Sequence, residues 1–297
     1  IRVSYLPASA LPASSAARSA SVSGPSREWG GLISVRWTTE GAPSSSRVET
    51  SASPILSSVI AASTSSSGLI RKVSAADRIA RWNGSTWQSL GSGMSGGTYP
   101  YVDALTVYSG QLVAGGRFTT AGGATVNRIA RWDGATWQPL GSGVDSASSP
   151  AVNALTVCSG ELIVGGWFGI AGGVSVLNIA RWDGAVWQPL DKGMNSTVYA
   201  LTVCNDVLIA GGYFTAAYGA SDVDDVGAAH VACWDGSAWQ SLGSGMSDAV
   251  RALTVYDGKL IAGGNFMSAS GLGVHYVASW NGSTWFPLGS GMDAYVH

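Results

Sequence analysis

Three aspartates in one connection between predicted strands are the residues best suited to hold a cation. Asp222, Asp224 and Asp225 lie within residues 218–229, a connection six residues longer than its counterparts elsewhere in the chain. Carboxylate oxygens are the ligands that a hard cation such as Ca²⁺ prefers. The spacing is not that of an EF-hand loop, so a solvated acidic loop is the alternative interpretation. We predict these residues as the candidate Ca²⁺ site, and we predict no other cofactor.

Four positions that each follow a pair of glycines form a second candidate site. The residue at this position changes, while the Gly-Gly pair before it and the phenylalanine after it stay the same. Such a position is either simply exposed or is read by a partner. Two of the four residues are aromatic and could form a patch for a protein or a glycan. The predicted ligand-binding residues are Arg117, Trp167, Tyr213 and Asn265.

The chain shows no residue set suited to catalysis. A catalytic site needs several titratable groups that converge in one place, and the chain has only three histidines and three cysteines. No Ser/His/Asp spacing and no carboxylate pair stands out across the repeats. A zinc site is not expected because no Cys-x-x-Cys motif occurs. We therefore predict that the protein is not an enzyme.

The composition is typical of short strands joined by tight turns. The chain of 297 residues is 46% hydrophobic but only 11% charged, and it contains 41 glycines and 13 tryptophans. This predicts an all-β protein with a sizeable core. The net charge is −2 and no cluster of Lys or Arg occurs, so we expect no nucleic-acid partner. No apolar run approaches the ~20 residues of a membrane-spanning helix, so we expect no membrane insertion.

The chain repeats itself from residue 78 onward. The run Ile-Ala-Arg-Trp-Asn-Gly-Ser-Thr-Trp has five related copies, whose first tryptophans are 50, 50, 52 and 46 residues apart. A second run, Ala-Leu-Thr-Val followed by a turn and Gly-Gly, has four copies. Each of the two runs predicts a hairpin. The first closes with a type I′ turn at Asn-Gly or Asp-Gly, and the second turns at Ser-Gly, Asn-Asp or Asp-Gly. Two hairpins make four strands, which is the size of one propeller blade.

The paired tryptophans recur in every copy, as core packing requires, and each buried ring removes a large apolar area from water. The predicted structural core residues are Trp82, Trp87, Trp132, Trp137, Trp182, Trp187, Trp234, Trp239, Trp280 and Trp285.

Diglycines that close the second strand, followed by spaced aromatics, resemble the kelch-type repeat. The diglycines are Gly115-Gly116, Gly165-Gly166, Gly211-Gly212 and Gly263-Gly264. The fuller pattern resembles more closely the propeller repeats of secreted microbial proteins and of Rax2-like cell-surface polarity proteins. The resemblance covers about 220 residues of the chain. It implies a β-propeller and an extracellular or cell-surface location, but it implies no particular activity.

We predict an all-β fold, a β-propeller of four-stranded blades, with five blades favoured and six as the alternative. Residues 1–76 are rich in Ser and Ala and are predicted as an extended N-terminal arm. Residues 77–297 are predicted as the kelch-like repeats. The part of the arm at residues 55–73 is expected to supply strands either to the propeller or to a neighbouring molecule.

These features predict an extracellular structural or interaction protein. The propeller would serve as a building block or scaffold that self-assembles through its N-terminal arm, which makes copies of the same chain the expected protein partner. The alternative is a carbohydrate-binding, lectin-like propeller that uses exposed aromatic side chains, with a glycan as the partner.

Overall fold

The computed structural model describes residues 78–83, 85–146 and 148–297 in full. Of the preceding segment it describes the backbone of three strands: β1 (Arg2–Leu6), β2 (Leu32–Arg36) and β3 (Val59–Ile60). β1 and β2 pair with each other in antiparallel fashion. The predictions made for the rest of residues 1–76 lie outside the described residues.

The next nine strands are short, and glycine-rich or polar turns separate them. They are β4 (Ala80–Trp82), β5 (Trp87–Ser89), β6 (Met94–Ser95), β7 (Val102–Tyr108), β8 (Gln111–Gly116), β9 (Thr120–Ala121), β10 (Ala124–Thr125), β11 (Ile129–Trp132) and β12 (Trp137–Pro139).

Twenty strands follow, and they repeat the same order of long and short elements. They are β13 (Val144–Asp145), β14 (Ala151–Cys158), β15 (Glu161–Trp167), β16 (Ile170–Ala171), β17 (Val174–Ser175), β18 (Ile179–Trp182), β19 (Trp187–Pro189), β20 (Gly193–Met194), β21 (Val198–Cys204), β22 (Val207–Gly212), β23 (Ala216–Tyr218), β24 (Val226–Gly227), β25 (Val231–Trp234), β26 (Trp239–Ser241), β27 (Val250–Tyr256), β28 (Lys259–Gly264), β29 (Ser268–Ala269), β30 (Leu272–Gly273), β31 (Val277–Trp280) and β32 (Trp285–Pro287). A short 3-10 turn (Asp222–Asp224) lies between β23 and β24.

The longer strands form four antiparallel sheets of four strands each, in the orders β7-β8-β11-β12, β14-β15-β18-β19, β21-β22-β25-β26 and β27-β28-β31-β32. We call these sheets repeats 2, 3, 4 and 5. The prediction of an all-β fold with four-stranded antiparallel sheets is confirmed, and the described residues contain no α-helix.

Repeat 1 is the three-stranded sheet β3-β4-β5. Ile60 of β3 lies opposite Ala80, as Val164 lies opposite Ala180 in repeat 3. β3 therefore takes the register that the second strand takes in the other repeats.

The two kinds of hairpin close differently. The turn predicted at Ser109-Gly110 is present, and it has the positive φ of a type I′ turn at both residues, 48° and 74°. The type I′ prediction is wrong at Asp133-Gly134, because Asp133 does not have a positive φ. A four-residue loop closes this hairpin instead, and the Asp133 carboxylate accepts the backbone N–H groups of Ala135 and Thr136. The side chain competes with the backbone for these donors and so selects the longer loop.

The diglycines explain how closely the strands approach one another. A Cβ atom on Gly166 would overlap the carbonyl oxygen of Ala151 on the first strand of the same repeat. A Cβ on Gly165 would lie 2.6 Å from a methyl carbon of Val198, which belongs to the first strand of the next repeat. This pair of glycines therefore permits one approach within a sheet and one between neighbouring repeats.

The chain divides into two compact units. The first comprises Ile1–Val126 and Ala130–Pro139, and the second comprises Asn127–Ile129 and Leu140–His297. The predicted division between residues 1–76 and 77–297 stays a prediction, because most of the first segment is not described. Over the described ranges, no helix is long and apolar enough to cross a membrane.

Candidate functional site

Each residue that follows a diglycine lies at the end of a second strand, beside a β-bulge in the first strand. In the first unit Arg117 extends over Asp103, with its Nε atom 3.3 Å from a carboxylate oxygen. The Asp103 side chain is 1% exposed, whereas that of Arg117 is 46% exposed. The bulge residue was not anticipated from the sequence, although its type differs in all four repeats while the Ala-Leu-Thr-Val run after it is constant.

In the second unit the bulge residues join one repeat to the next. The Asn153 amide donates to the carbonyl of Val198, at 3.1 Å. The Arg251 guanidinium lies 4.5 Å from the centroid of the Tyr199 ring, in a cation–π arrangement. The Nε atom of Arg251 also donates to the side-chain oxygen of Asn265, at 3.3 Å.

The predicted aromatic patch consists of two exposed rings on successive repeats. Trp167 is 41% exposed and Tyr213 is 56% exposed. The Tyr213 ring is paired with His230, at a centroid distance of 6.1 Å. Burial lowers the pKa of His230, which favours its neutral form. The rings of Trp167 and Tyr213 are therefore both accessible to a partner.

The three predicted cation ligands are each held by a different protein group. Asp222 forms an ion pair with Lys192, and Asp224 accepts a hydrogen bond from the hydroxyl of Ser221. Asp225 accepts the backbone N–H of Gly219, at 3.1 Å. Within the described ranges, no group of three or more His, Cys, Asp or Glu side chains could hold a metal ion. The structure therefore does not bring these carboxylates together as a ligand set.

Beside this loop lies a groove that the sequence analysis did not predict. It has a volume of about 490 Å³ and lies between β18–β19 of repeat 3 and β25–β26 of repeat 4. Its lining includes the half-buried indole of Trp234, Asp191, Lys192 and Arg181. Desolvation, reinforced by the nearby carboxylates of Asp224 and Asp235, raises the pKa of Asp191.

The predicted core tryptophans form tilted pairs in all five repeats, with centroids 5.3–5.4 Å apart. The second indole of a pair donates its Nε1–H to a leucine carbonyl of the preceding repeat. The donor and acceptor pairs are Trp137 and Leu90, Trp187 and Leu140, Trp239 and Leu190, and Trp285 and Leu242. These bonds, 2.9–3.1 Å long, connect consecutive repeats.

The last repeat presents the face that another repeat covers elsewhere. Leu288 is 45% exposed and Met292 is 50% exposed. Their counterparts in the other repeats are at most 4% exposed: Leu90, Leu140, Leu190 and Leu242 for the leucine, and Met94, Val144, Met194 and Met246 for the methionine.

Comparison with known proteins agrees with the class of fold. A family model described as a domain of unknown function (DUF5122) beta-propeller matches residues 109–132, from the first turn of repeat 2 to the end of β11. The four-stranded antiparallel sheets and this short match support a β-propeller repeat protein.

One solved structure with similarity to this chain is the crystal structure of the computationally designed Ika8 protein. The two chains are 18% identical and align with a TM-score of 0.46 over 73% of this chain. The alignment spans 57% of the length of the designed protein. No curated protein matches the chain.

Proposed function

We propose that this protein is an extracellular structural and interaction protein whose copies join end to end, with the repeats as the building block. The observation that carries the proposal is the pairing of β3 with β4, because a strand that completes repeat 1 within one chain can do the same in a neighbouring copy. Leu288 and Met292 of repeat 5 occupy the positions that are buried in the preceding repeats. Repeat 5 therefore has the side chains needed to receive a repeat of a second copy.

The partner surface that we propose is repeat 1 of a second copy, together with its N-terminal arm. Trp87 is the second tryptophan of repeat 1, and it is 36% exposed where its counterparts are at most 5% exposed. The carbonyl of Leu288 holds the place from which Leu242 accepts the indole of Trp285. A contact between these two different surfaces is head-to-tail, and it extends into a chain of subunits unless it closes.

Five blades and a kelch-like or Rax2-like surface role fit this proposal. The resemblance of the repeats to those of secreted and cell-surface proteins supports an extracellular location. The charged fraction of only 11% also suits a protein that packs against copies of itself. The pairing of β3 with β4 supports a role for the N-terminal arm, because it shows part of that arm acting as a strand of repeat 1.

Light scattering after size-exclusion chromatography tests the proposal directly. We expect a mass that rises with protein concentration from the 30.3 kDa of one chain. Leu288→Asp should return the protein to a single chain, because it places a charge in the contact. Val186→Asp is the matched control, since Val186 is 54% exposed on a loop of repeat 3. A wild-type mass that stays at one chain at every concentration overturns the proposal.

The role of the arm is tested separately by deleting residues 1–52, which leaves β3 in place. We expect this truncation to weaken assembly while the circular dichroism spectrum of the repeats is retained. Assembly as strong as that of the full chain would exclude the arm from the contact, without excluding the exposed face of repeat 5.

Glycan binding at the strand ends is the second candidate function. The observation that favours it is the exposure of Trp167 and Tyr213 at successive strand ends of the second unit. Aromatic rings provide large contact areas at little cost in conformational entropy. A glycan array probed with the wild type and with Trp167→Ala tests it, and an unchanged binding pattern in the variant argues against this surface.

A further inference from the structure

Three departures from the repeat pattern meet at one place in the second unit. The first is Asp191, which stands where the other repeats have glycine: Gly91, Gly141, Gly243 and Gly289. The second is Lys192, which stands where the others have serine: Ser92, Ser142, Ser244 and Ser290. The third is the six-residue insertion before β24. All three border the groove whose wall is Trp234.

Folding does not explain the residue at position 191. Asp191 has a φ of +52°, close to the +53° to +62° of the four glycines, so a side chain is accommodated there in a backbone conformation that favours glycine. At Gly141 an added Cβ would lie 3.2 Å from the ring of Trp182. By the same geometry, the Cβ of Asp191 lies beside the ring of Trp234, and both residues line the groove. A carboxylate that is unique among the repeats and lines a groove points to a ligand.

The insertion borders the groove and makes polar contacts beside it. Lys192 forms an ion pair with Asp222 of the 3-10 turn. The hydroxyl of Ser221 bonds the carboxylate of Asp224, and the backbone N–H of Gly219 bonds that of Asp225. These contacts lie mostly at the surface, so they place the insertion beside the groove without fixing it strongly.

The groove has the chemistry of a site for a neutral polyol. Trp234 offers an aromatic surface because its neighbour Trp239, which is 1% exposed, fills the interior side of the pair. Asp191 supplies hydrogen-bond acceptors, and Lys192 and Arg181 supply donors. Because both signs of charge border the groove, a strongly charged ligand of either sign meets repulsion. A sugar has an apolar ring face for the indole and hydroxyl groups that both donate and accept.

We propose that this groove binds neutral carbohydrate, with a pyranose ring stacked on Trp234 and its hydroxyl groups bonded to Asp191 and Lys192. The groove volume of about 490 Å³ is within the usual range for small-molecule sites and is sufficient for one or two sugar rings. The site is separate from the exposed face of repeat 5, so it stands or falls independently of self-assembly. It is also separate from the strand-end position of Trp167.

Saturation-transfer NMR and calorimetry with the methyl glycosides of galactose, glucose, mannose and N-acetylglucosamine test the proposal on the full chain. We expect at least one to bind with a dissociation constant on the order of 1 mM. The double variant Asp191→Gly with Lys192→Ser restores the residues of the other repeats, so we expect it to fold normally. Its association constant should fall by at least about tenfold, since a hydrogen bond to a charged group is lost. Met267→Ala is the control, because Met267 is 52% exposed and lies outside the groove and outside the strand-end aromatic patch, so this variant should bind as the wild type does.

Three results would overturn the proposal. One is that none of the four glycosides binds at concentrations up to about 50 mM, well above the expected dissociation constant. Another is binding that survives the double variant and is lost in Trp167→Ala, which would place the site at the strand ends. The third is a preference for charged probes, sialic acid or glucosamine, over the neutral glycosides.

Discussion

The indole N–H of Trp239 and the carbonyl of Leu190 join two repeats through a single hydrogen bond of 3.1 Å. Leu190 is 2% exposed, so removing the donor leaves a buried carbonyl without a partner. We predict that Trp239→Phe lowers the free energy of unfolding by about 1–3 kcal/mol. Urea unfolding followed by circular dichroism measures this change.

Trp87→Phe is the control for that prediction. Trp87 is 36% exposed, and surface substitutions usually change stability by about 0.5 kcal/mol or less. Equal losses in the two variants would mean that the hydrogen bond is not the source of the effect.

The aspartates of the Trp-to-Trp loops predict how the protein responds to acid. Two backbone N–H bonds, from Thr136 and Ala135, lower the pKa of Asp133 to about 2 from its ordinary value of 3.8. The same kind of bonds lowers the pKa of Asp183 and Asp235. A carboxylate whose pKa is lower in the folded state than in the unfolded state stabilises the fold at pH values above the unfolded-state pKa. This contribution is lost as the pH falls from about 4 to about 2.

Replacing Asp133, Asp183 and Asp235 by Asn should therefore shift acid unfolding to lower pH. Asn281 already makes the same loop bonds, to the N–H groups of Ser283 and Thr284, so the replacement fits the loop geometry. Tryptophan fluorescence against pH gives the midpoint. An unchanged midpoint would show that these loops do not limit acid stability.

Among the elements, the diglycine at the end of the second strand is the most demanding feature of a repeat. A Cβ on Gly166 would overlap the carbonyl oxygen of Ala151, which is backbone and cannot rotate away. We predict that Gly166→Ala costs about 1–3 kcal/mol of stability. Gly169→Ala should cost less, because a Cβ there meets no atom within 4 Å. Thermal unfolding of the two variants compares them, and similar losses would contradict the overlap argument.

The strands and hairpins could be predicted from the sequence because the same pattern of residues recurs in every repeat. Alternation, diglycines and paired tryptophans identify four strands per repeat, and Ser109-Gly110 closes its hairpin as expected. The loop at Asp133 was predicted as a tighter turn, since the sequence pair Asp-Gly also fits that turn. The choice was made by the carboxylate, which bonds the backbone two and three residues further on.

At the scale of the whole molecule, burial decreases along the repeats of the second unit. The first five residues of β14 are all buried, whereas β27 has one buried residue, Val250, and an exposed end. Burial of apolar side chains protects a strand against local opening, so β27 has the weaker support. We predict faster amide hydrogen exchange in β27 and β28 than in β14 and β15. Mass spectrometry of exchanged peptides measures this, and uniform protection would contradict it.

The candidate site was harder to predict than the fold. The sequence drew attention to the aspartates of the insertion, but these carboxylates bond to different protein groups. The groove depends on Asp191 and Lys192, which are remote in sequence from Trp234 and become neighbours only when two repeats pack together. Aligning the repeats against each other would have shown both residues as exceptions to the glycine and serine of the other copies.

The direction of the indole-to-leucine bonds has a consequence for synthesis of the chain on the ribosome. In each of these four bonds the acceptor lies 43–49 residues before the tryptophan in the sequence. The surface that a newly emerged repeat needs has thus already been made. The chain can then be completed in the order of translation, each repeat docking onto its predecessor, so that little apolar surface waits uncovered during elongation.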